Sequence, residues 1–267
     1  MNAGRLGLVL LFAAACDIDA AEAGTESWSI ESTPADADQE VARAEPLRVQ
    51  LDRRISPRSV AAAVRLRSGA IEPPLELRYE LLRREILVIF PAWAPLAVET
   101  SYRFVVLGLV DLDGFSQPNE HTAYFRTGAQ LGEPQPMAAA PAVAAVLDLF
   151  AERCASAGCH APPEAAAGLD LASASGIERS AFGTSAQLEL GTLGEQQGAA
   201  GVLWKPATRI IDITAGRGDP ASSYLMYKVL GDAHIVGEVM PPRGSRLQQA
   251  ELTLLSDWIR SGAPTRD

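Results

Sequence analysis

The 267-residue sequence is poor in positive charge: 23 Lys and Arg stand against 33 Asp and Glu, a formal net charge of −10. A field of that sign repels phosphate backbones, and no compact basic stripe interrupts it, so nucleic acid is not an expected partner. Cysteine is scarce too. Three thiols cannot staple a disulfide-dense scaffold, and their positions say more than their number. Glycine (22) and proline (18) are near ordinary usage, which excludes collagen-like and low-complexity chains. No Ser-His-Asp grouping, zinc-protease helix or phosphate loop is visible. What is present is enough apolar side chain, 48%, to build one large core or two small ones.

The first sixteen residues read as an export leader. Arg5 supplies one positive charge, Leu6 to Phe12 form a short apolar run, and Ala13, Ala14 and Ala15 lead into Cys16. The run is too short for a bilayer-spanning helix of about 20 residues. It fits the apolar region of a secretion signal with a small-residue cleavage site. A cysteine directly after that site resembles the lipobox of bacterial lipoproteins, with Ala13 where leucine is usual. The resemblance implies diacylglycerol on Cys16, attachment to a membrane through it, and a mature chain outside the cytoplasm, on the periplasmic side or the cell surface. Plain cleavage and secretion is the alternative. Without residues 1–16 the charge becomes 22 minus 33, or −11. Residues 17–45 are rich in Ala, Asp, Glu, Ser and Thr, and their few apolar residues keep no sustained period, which predicts a disordered tether.

From 46 to 129 the pattern has period two. Leu47, Val49 and Leu51 alternate with polar residues, as do Leu75, Leu77 and Tyr79, and then Tyr102, Phe104 and Val106. Ile86 to Phe90 is a continuous apolar run stopped by Pro91. Short strands between Pro, Gly and Asp turns predict an all-β sandwich. The run into Phe90-Pro91, then Thr100–Phe104, Asp111-Leu112-Asp113-Gly114 and Phe125–Gly128, resembles bacterial Ig-like domains, which implies a spacer or adhesion module without catalysis. Asp111, Asp113 and Gly114 lack the further spaced oxygen ligands of a calcium loop and read as an Asp-Gly turn.

A Pro/Ala linker at 130–141 ends this block, and the period then becomes helical. Val143, Val146, Leu147 and Phe150 share one helix face, which runs into Cys154, Cys159 and His160. Two cysteines with a histidine directly after the second suit c-type haem attachment, in which two thioethers hold the porphyrin and the histidine meets the iron. Four residues separate the cysteines here, where the usual spacing is two. Further on, Asp219-Pro220 opens a helix that Gly231 stops, Met240-Pro241-Pro242 forms a loop, and Ser245 with Gln248 suggests a capping box. A last stripe of Leu247, Leu254, Leu255, Trp258 and Ile259 ends at Gly262.

Over 142–267 this order resembles the cytochrome c-like domains of large bacterial surface proteins. The resemblance implies haem c bound covalently by Cys154 and Cys159, iron ligated by His160 and Met240, one-electron transfer without enzymatic turnover, and unnamed redox protein partners. Met226 and His234 compete with Met240 as the second ligand. A Cys154–Cys159 disulfide in a non-redox adhesion or assembly lipoprotein is the alternative, and a zinc site using Cys154, Cys159 and His160 a more remote one. The expected architecture is therefore two-domain: an all-β Ig-like sandwich followed by a mainly α cytochrome c-like domain.

Overall fold

The computed structural model describes residues 27–136, 139–156, 158–184, 209–214, 216–232, 235, 238–242 and 246–266, together with the backbone of 196–197 and 203–204. Seven strands come first: β1 Ile30–Thr33, β2 Leu47–Leu51, β3 Val64–Arg67, β4 Glu76–Glu80, β5 Glu85–Ile89, β6 Ser101–Val106 and β7 His121–Arg126. They form two antiparallel sheets, ordered β1-β2-β5-β4 and β3-β6-β7. Register places Val49 opposite Ile86, and Phe104 opposite both Leu66 and Ala123. Every second residue is therefore buried: Leu47, Val49 and Leu51 on one sheet, Tyr102, Phe104 and Val106 on the other. β5 is buried on both faces, which explains its unbroken apolar run. Its Leu87 lies between Arg48 and Arg78 on the flanking strands, whose aliphatic stems cover it while the Arg48 head pairs with Glu85 at 3.1 Å.

The tether expected over 17–45 is corrected from residue 27 onward; 17–26 lie outside the described residues. β1 pairs with β2, and Trp28 packs on the core with the Arg53 guanidinium 4.8 Å above its ring. Residues 37–44 then run along the outer edge of β7. The Ala37 amide donates to the Tyr124 carbonyl at 2.7 Å, and the Arg126 amide to the Asp38 carbonyl at 2.9 Å. An unpaired sheet edge offers a row of free backbone groups, so a polar segment orders there without burying much apolar surface of its own. A short helix, α1 Pro57–Ala63, was also not expected; Pro57 sits at its first turn and Val60 and Ala63 are buried.

The second half is not the mainly α domain expected. It contains α2 Val143–Arg153, α3 Ala174–Ser180, short pairs β8 Gln196–Gln197 with β9 Leu203–Trp204 and β10 Ile213–Thr214 with β11 Arg217–Gly218, then α4 Tyr224–Leu230 and α5 Gln249–Arg260. The chain as described is a mixed, β-rich fold with two principal sheets and short helices, and the expected fold class is corrected accordingly. The helices form where the 3.6-residue stripes lie. Val143, Val146 and Phe150 of α2 are buried, and Leu252, Leu255, Trp258 and Ile259 of α5 face them. Phe150 meets Trp258 edge to face, with ring centres 5.6 Å apart at 78°.

The capping box falls three residues later than expected, on Gln248 and Glu251: the Glu251 carboxylate accepts from the Gln248 amide at 2.6 Å. Ser245 lies outside the described residues. Asp219 caps only a 3-10 turn, Pro220–Ser222, and α4 follows with Gly231 at its end, φ 64°.

The two halves share one apolar core. Arg54 beside the sandwich pairs with buried Asp232 at 2.9 Å, and Arg260 at the end of α5 pairs with Glu80 of β4. Among the described residues no helix is long and apolar enough to cross a membrane.

Candidate functional site

The sequence expectations converge on the turn after α2. Cys154 closes that helix, and its amide donates to the Phe150 carbonyl at 2.8 Å. The chain then folds back on itself: the His160 amide donates to the Cys154 carbonyl at 3.1 Å and the Cys159 amide to the Ser156 carbonyl at 3.0 Å. Small residues permit this. Gly158 takes φ 78°, a left-handed conformation that glycine adopts without a Cβ penalty. Ala157 lies outside the described residues.

Both thiols are free, Cys154 buried and Cys159 half-buried. Burial pushes the Cys154 thiol up to about 11, and the neighbouring Cys159 adds to the shift. Burial also lowers the His160 pKa, partly offset by the Ala166 and Leu169 carbonyls, while the nearby Lys228 charge lowers it further. The His160 Nδ1 lies 3.2 Å from the Ala166 carbonyl, which can only accept, so Nδ1 carries a proton.

Lys228 connects this turn to the Met240 loop. It acts on His160 through its charge, its ammonium donates to the Glu238 carbonyl at 2.6 Å, and its own carbonyl accepts from the Met240 amide at 3.1 Å. Met240 is half-buried and precedes a cis peptide to Pro241. The structure thus brings the Cys154–His160 turn and the Met240 loop into one neighbourhood. Met226 is fully buried in α4 as core packing. Cys16 and His234 lie outside the described residues. Sequence reasoning missed Lys228 and the Ala166 carbonyl; a lysine on the polar side of a helix and a backbone oxygen leave no sequence signal for such a role.

The haem expectation fails the fit with these residues. Attachment needs two thiols and an imidazole at the rim of a slot broad enough for a porphyrin. Instead Cys154 is only 8% exposed, and the space between α2 and α5 is filled by Phe150, Trp258 and Phe182. Three cavities among the described residues, of about 500, 670 and 330 Å³, are lined by other side chains. No three His, Cys, Asp or Glu side chains among the described residues come together in a way that could hold a metal ion.

Comparison with known proteins points the same way. No family model matches the chain, and no curated protein matches it. Solved structures do match. CopC from Methylosinus trichosporium OB3b is 16% identical, with a TM-score of 0.31 over 38% of this chain and 92% of that one. PcoC, a methionine-rich copper resistance protein from Escherichia coli, is 15% identical, with a TM-score of 0.31 over 38% of this chain and 98% of that one. The N-terminal part of the bacterial S-layer protein SbsC is 13% identical, with a TM-score of 0.29 over 38% of this chain and 24% of that one.

At these values the likeness carries no argument about function. None of these proteins is described as a cytochrome or a haem protein. The resemblance to cytochrome c, the haem c cofactor, iron ligation by His160 and Met240, and one-electron transfer are all corrected. The adhesion alternative gains nothing either, since its Cys154–Cys159 bridge is not formed.

Proposed function

We propose that the protein is an exported, membrane-tethered binder of a soft metal ion of the monovalent copper class, captured by the turn 154–160. One observation carries this reading. Two unbridged thiols and an imidazole whose Nδ1 faces a backbone carbonyl share a single hydrogen-bonded turn, and Lys228 holds a thioether loop beside it. Thiolate and thioether sulfur are soft donors that favour monovalent copper over hard cations. The ion would be held by the Cys154 and Cys159 sulfurs as a two-coordinate pair, since no three His, Cys, Asp or Glu side chains among the described residues, these cysteines and His160 included, form a ready cluster. The imidazole proton fixed on Nδ1 by a backbone carbonyl is the second-sphere arrangement usual for metal-binding histidine. Diacylglycerol on Cys16 would hold the binder at a membrane.

The test uses mature, reduced, anaerobic protein in competition with a colorimetric copper(I) chelator. Wild type should withdraw copper, Cys154→Ser and Cys159→Ser should each abolish this, and His160→Gln should weaken it. Equal copper retention by wild type and the double serine variant overturns the proposal. Recovery of the Cys16→Ser protein in the membrane fraction would overturn the lipid tether alone.

A further inference from the structure

The first described residues and Trp93 lie at opposite ends of the sandwich. The described chain begins beside Arg53: the Arg53 guanidinium donates to the Ser27 carbonyl at 3.1 Å and stacks on Trp28, and Ile30 pairs with Leu51 at the end of β2. The start of β2, Leu47, pairs instead with Val88, near the end of β5. Beyond β5 the chain enters the turn 91–100, which carries Trp93. A five-residue strand separates the two ends by about 17 Å at ~3.3 Å per residue.

Three segments meet at the Trp93 end. The Ala44 amide donates to the Leu131 carbonyl at 2.6 Å, the Leu96 amide to the Arg43 carbonyl at 3.0 Å, and the Thr127 hydroxyl to the Ala97 carbonyl at 2.6 Å. These segments carry exposed large apolar side chains: Trp93 is 80% exposed, Val98 51% and Leu131 50%. Around them stand the exposed carboxylates of Glu40, Glu45, Glu99 and Glu133. Two cations lie close by. Arg43 folds inward, donating to the Leu96 carbonyl at 3.4 Å; Arg126 pairs at 3.8 Å with Glu99 of the rim and offsets that one carboxylate, which leaves Glu40, Glu45 and Glu133.

We propose that this tip is a docking surface for a basic protein segment, one that lays an apolar side chain against Trp93 and flanks it with lysine or arginine. An apolar centre with an acidic rim is complementary to such a segment, and exposed tryptophan is the side chain most enriched at binding hot spots. A second copy of the chain would set acidic rim against acidic rim. Anionic lipid is repelled by the same carboxylates.

The experiment uses the mature protein and a labelled peptide of alternating lysine and leucine, with a glutamate–leucine peptide as the control, followed by fluorescence anisotropy at low salt. Wild type should bind the lysine peptide and not the glutamate one. Trp93→Ser should weaken binding about tenfold and Glu45→Gln with Glu99→Gln several-fold, while exposed Glu152→Gln on α2 should leave it unchanged. Unaltered melting would show that Trp93→Ser still folds. Equal peptide binding by all variants overturns the proposal, because attraction would then belong to the acidic chain as a whole. Trp93-dependent self-association in sedimentation, or Trp93-dependent capture by phosphatidylglycerol vesicles, overturns it in favour of a second copy or a lipid surface.

Discussion

Replacing Phe150 by alanine should unfold more than α2. Phe150 is fully buried, and its ring meets Trp258 edge to face at 5.6 Å. Truncating a buried phenylalanine to alanine costs about 3–5 kcal/mol, and an aromatic pair of this geometry supplies about 0.5–1.5 kcal/mol of that. For a chain of this size each kcal/mol moves the melting temperature by about 2–4 °C, so a fall of roughly 6–20 °C follows. Because the core runs without a break from the sandwich into the helices, calorimetry should show a single transition that moves as a whole. Two transitions, of which only one moves, would refute the shared core. A fall below about 2 °C would refute the packing of Phe150 itself.

Arg54→Met should cost about 1–3 kcal/mol, since it removes a guanidinium from a carboxylate, Asp232, whose side chain is 5% exposed, while Arg54 itself is partly screened by water; denaturant midpoints would check this, and an unchanged midpoint would count against the junction. Gly218→Ala should destabilise strongly, because an added Cβ would run into the Ile259 carbonyl of α5; a variant that melts with wild type contradicts that close approach. Burial raises Tyr79 to about 12 and Tyr227 further still, so both should remain protonated at pH 10.5 in an absorbance titration at the tyrosinate band. Their folded values exceed the unfolded one, so the stability they contribute is complete below pH 10 and is lost as pH rises through 12. Copper(I) affinity should increase from pH 6 to pH 8, because binding must expel the proton that burial holds on Cys154; a flat profile would argue against thiolate ligation.

Strand alternation was legible wherever one face of a sheet is buried: Leu47, Val49 and Leu51, or Tyr102, Phe104 and Val106, announced their elements from spacing alone. The same holds for the apolar stripe of α2. Residues 27–45 were not legible, because an edge-covering segment is held by backbone hydrogen bonds that every residue type can make. Cys154, Cys159, His160 and Met240 were read from their order as a haem-attachment site, and that assignment was wrong. Spacing lists donors without showing the volume between them, and here Phe150, Trp258 and Phe182 occupy it.

The sequence by itself determined local periods, the helix stop at Gly231, the negative field and the donor types at 154–160, since each depends on side chains close along the chain or on a sum over all of them. The tertiary structure alone decided which distant groups meet. Arg54 with Asp232, Arg260 with Glu80, and Lys228 between His160 and the Met240 loop are such pairings. So is the burial that keeps the Cys154 proton in place. Electrostatics and desolvation act through space, and the distances that set them arise only when separate elements pack against one another.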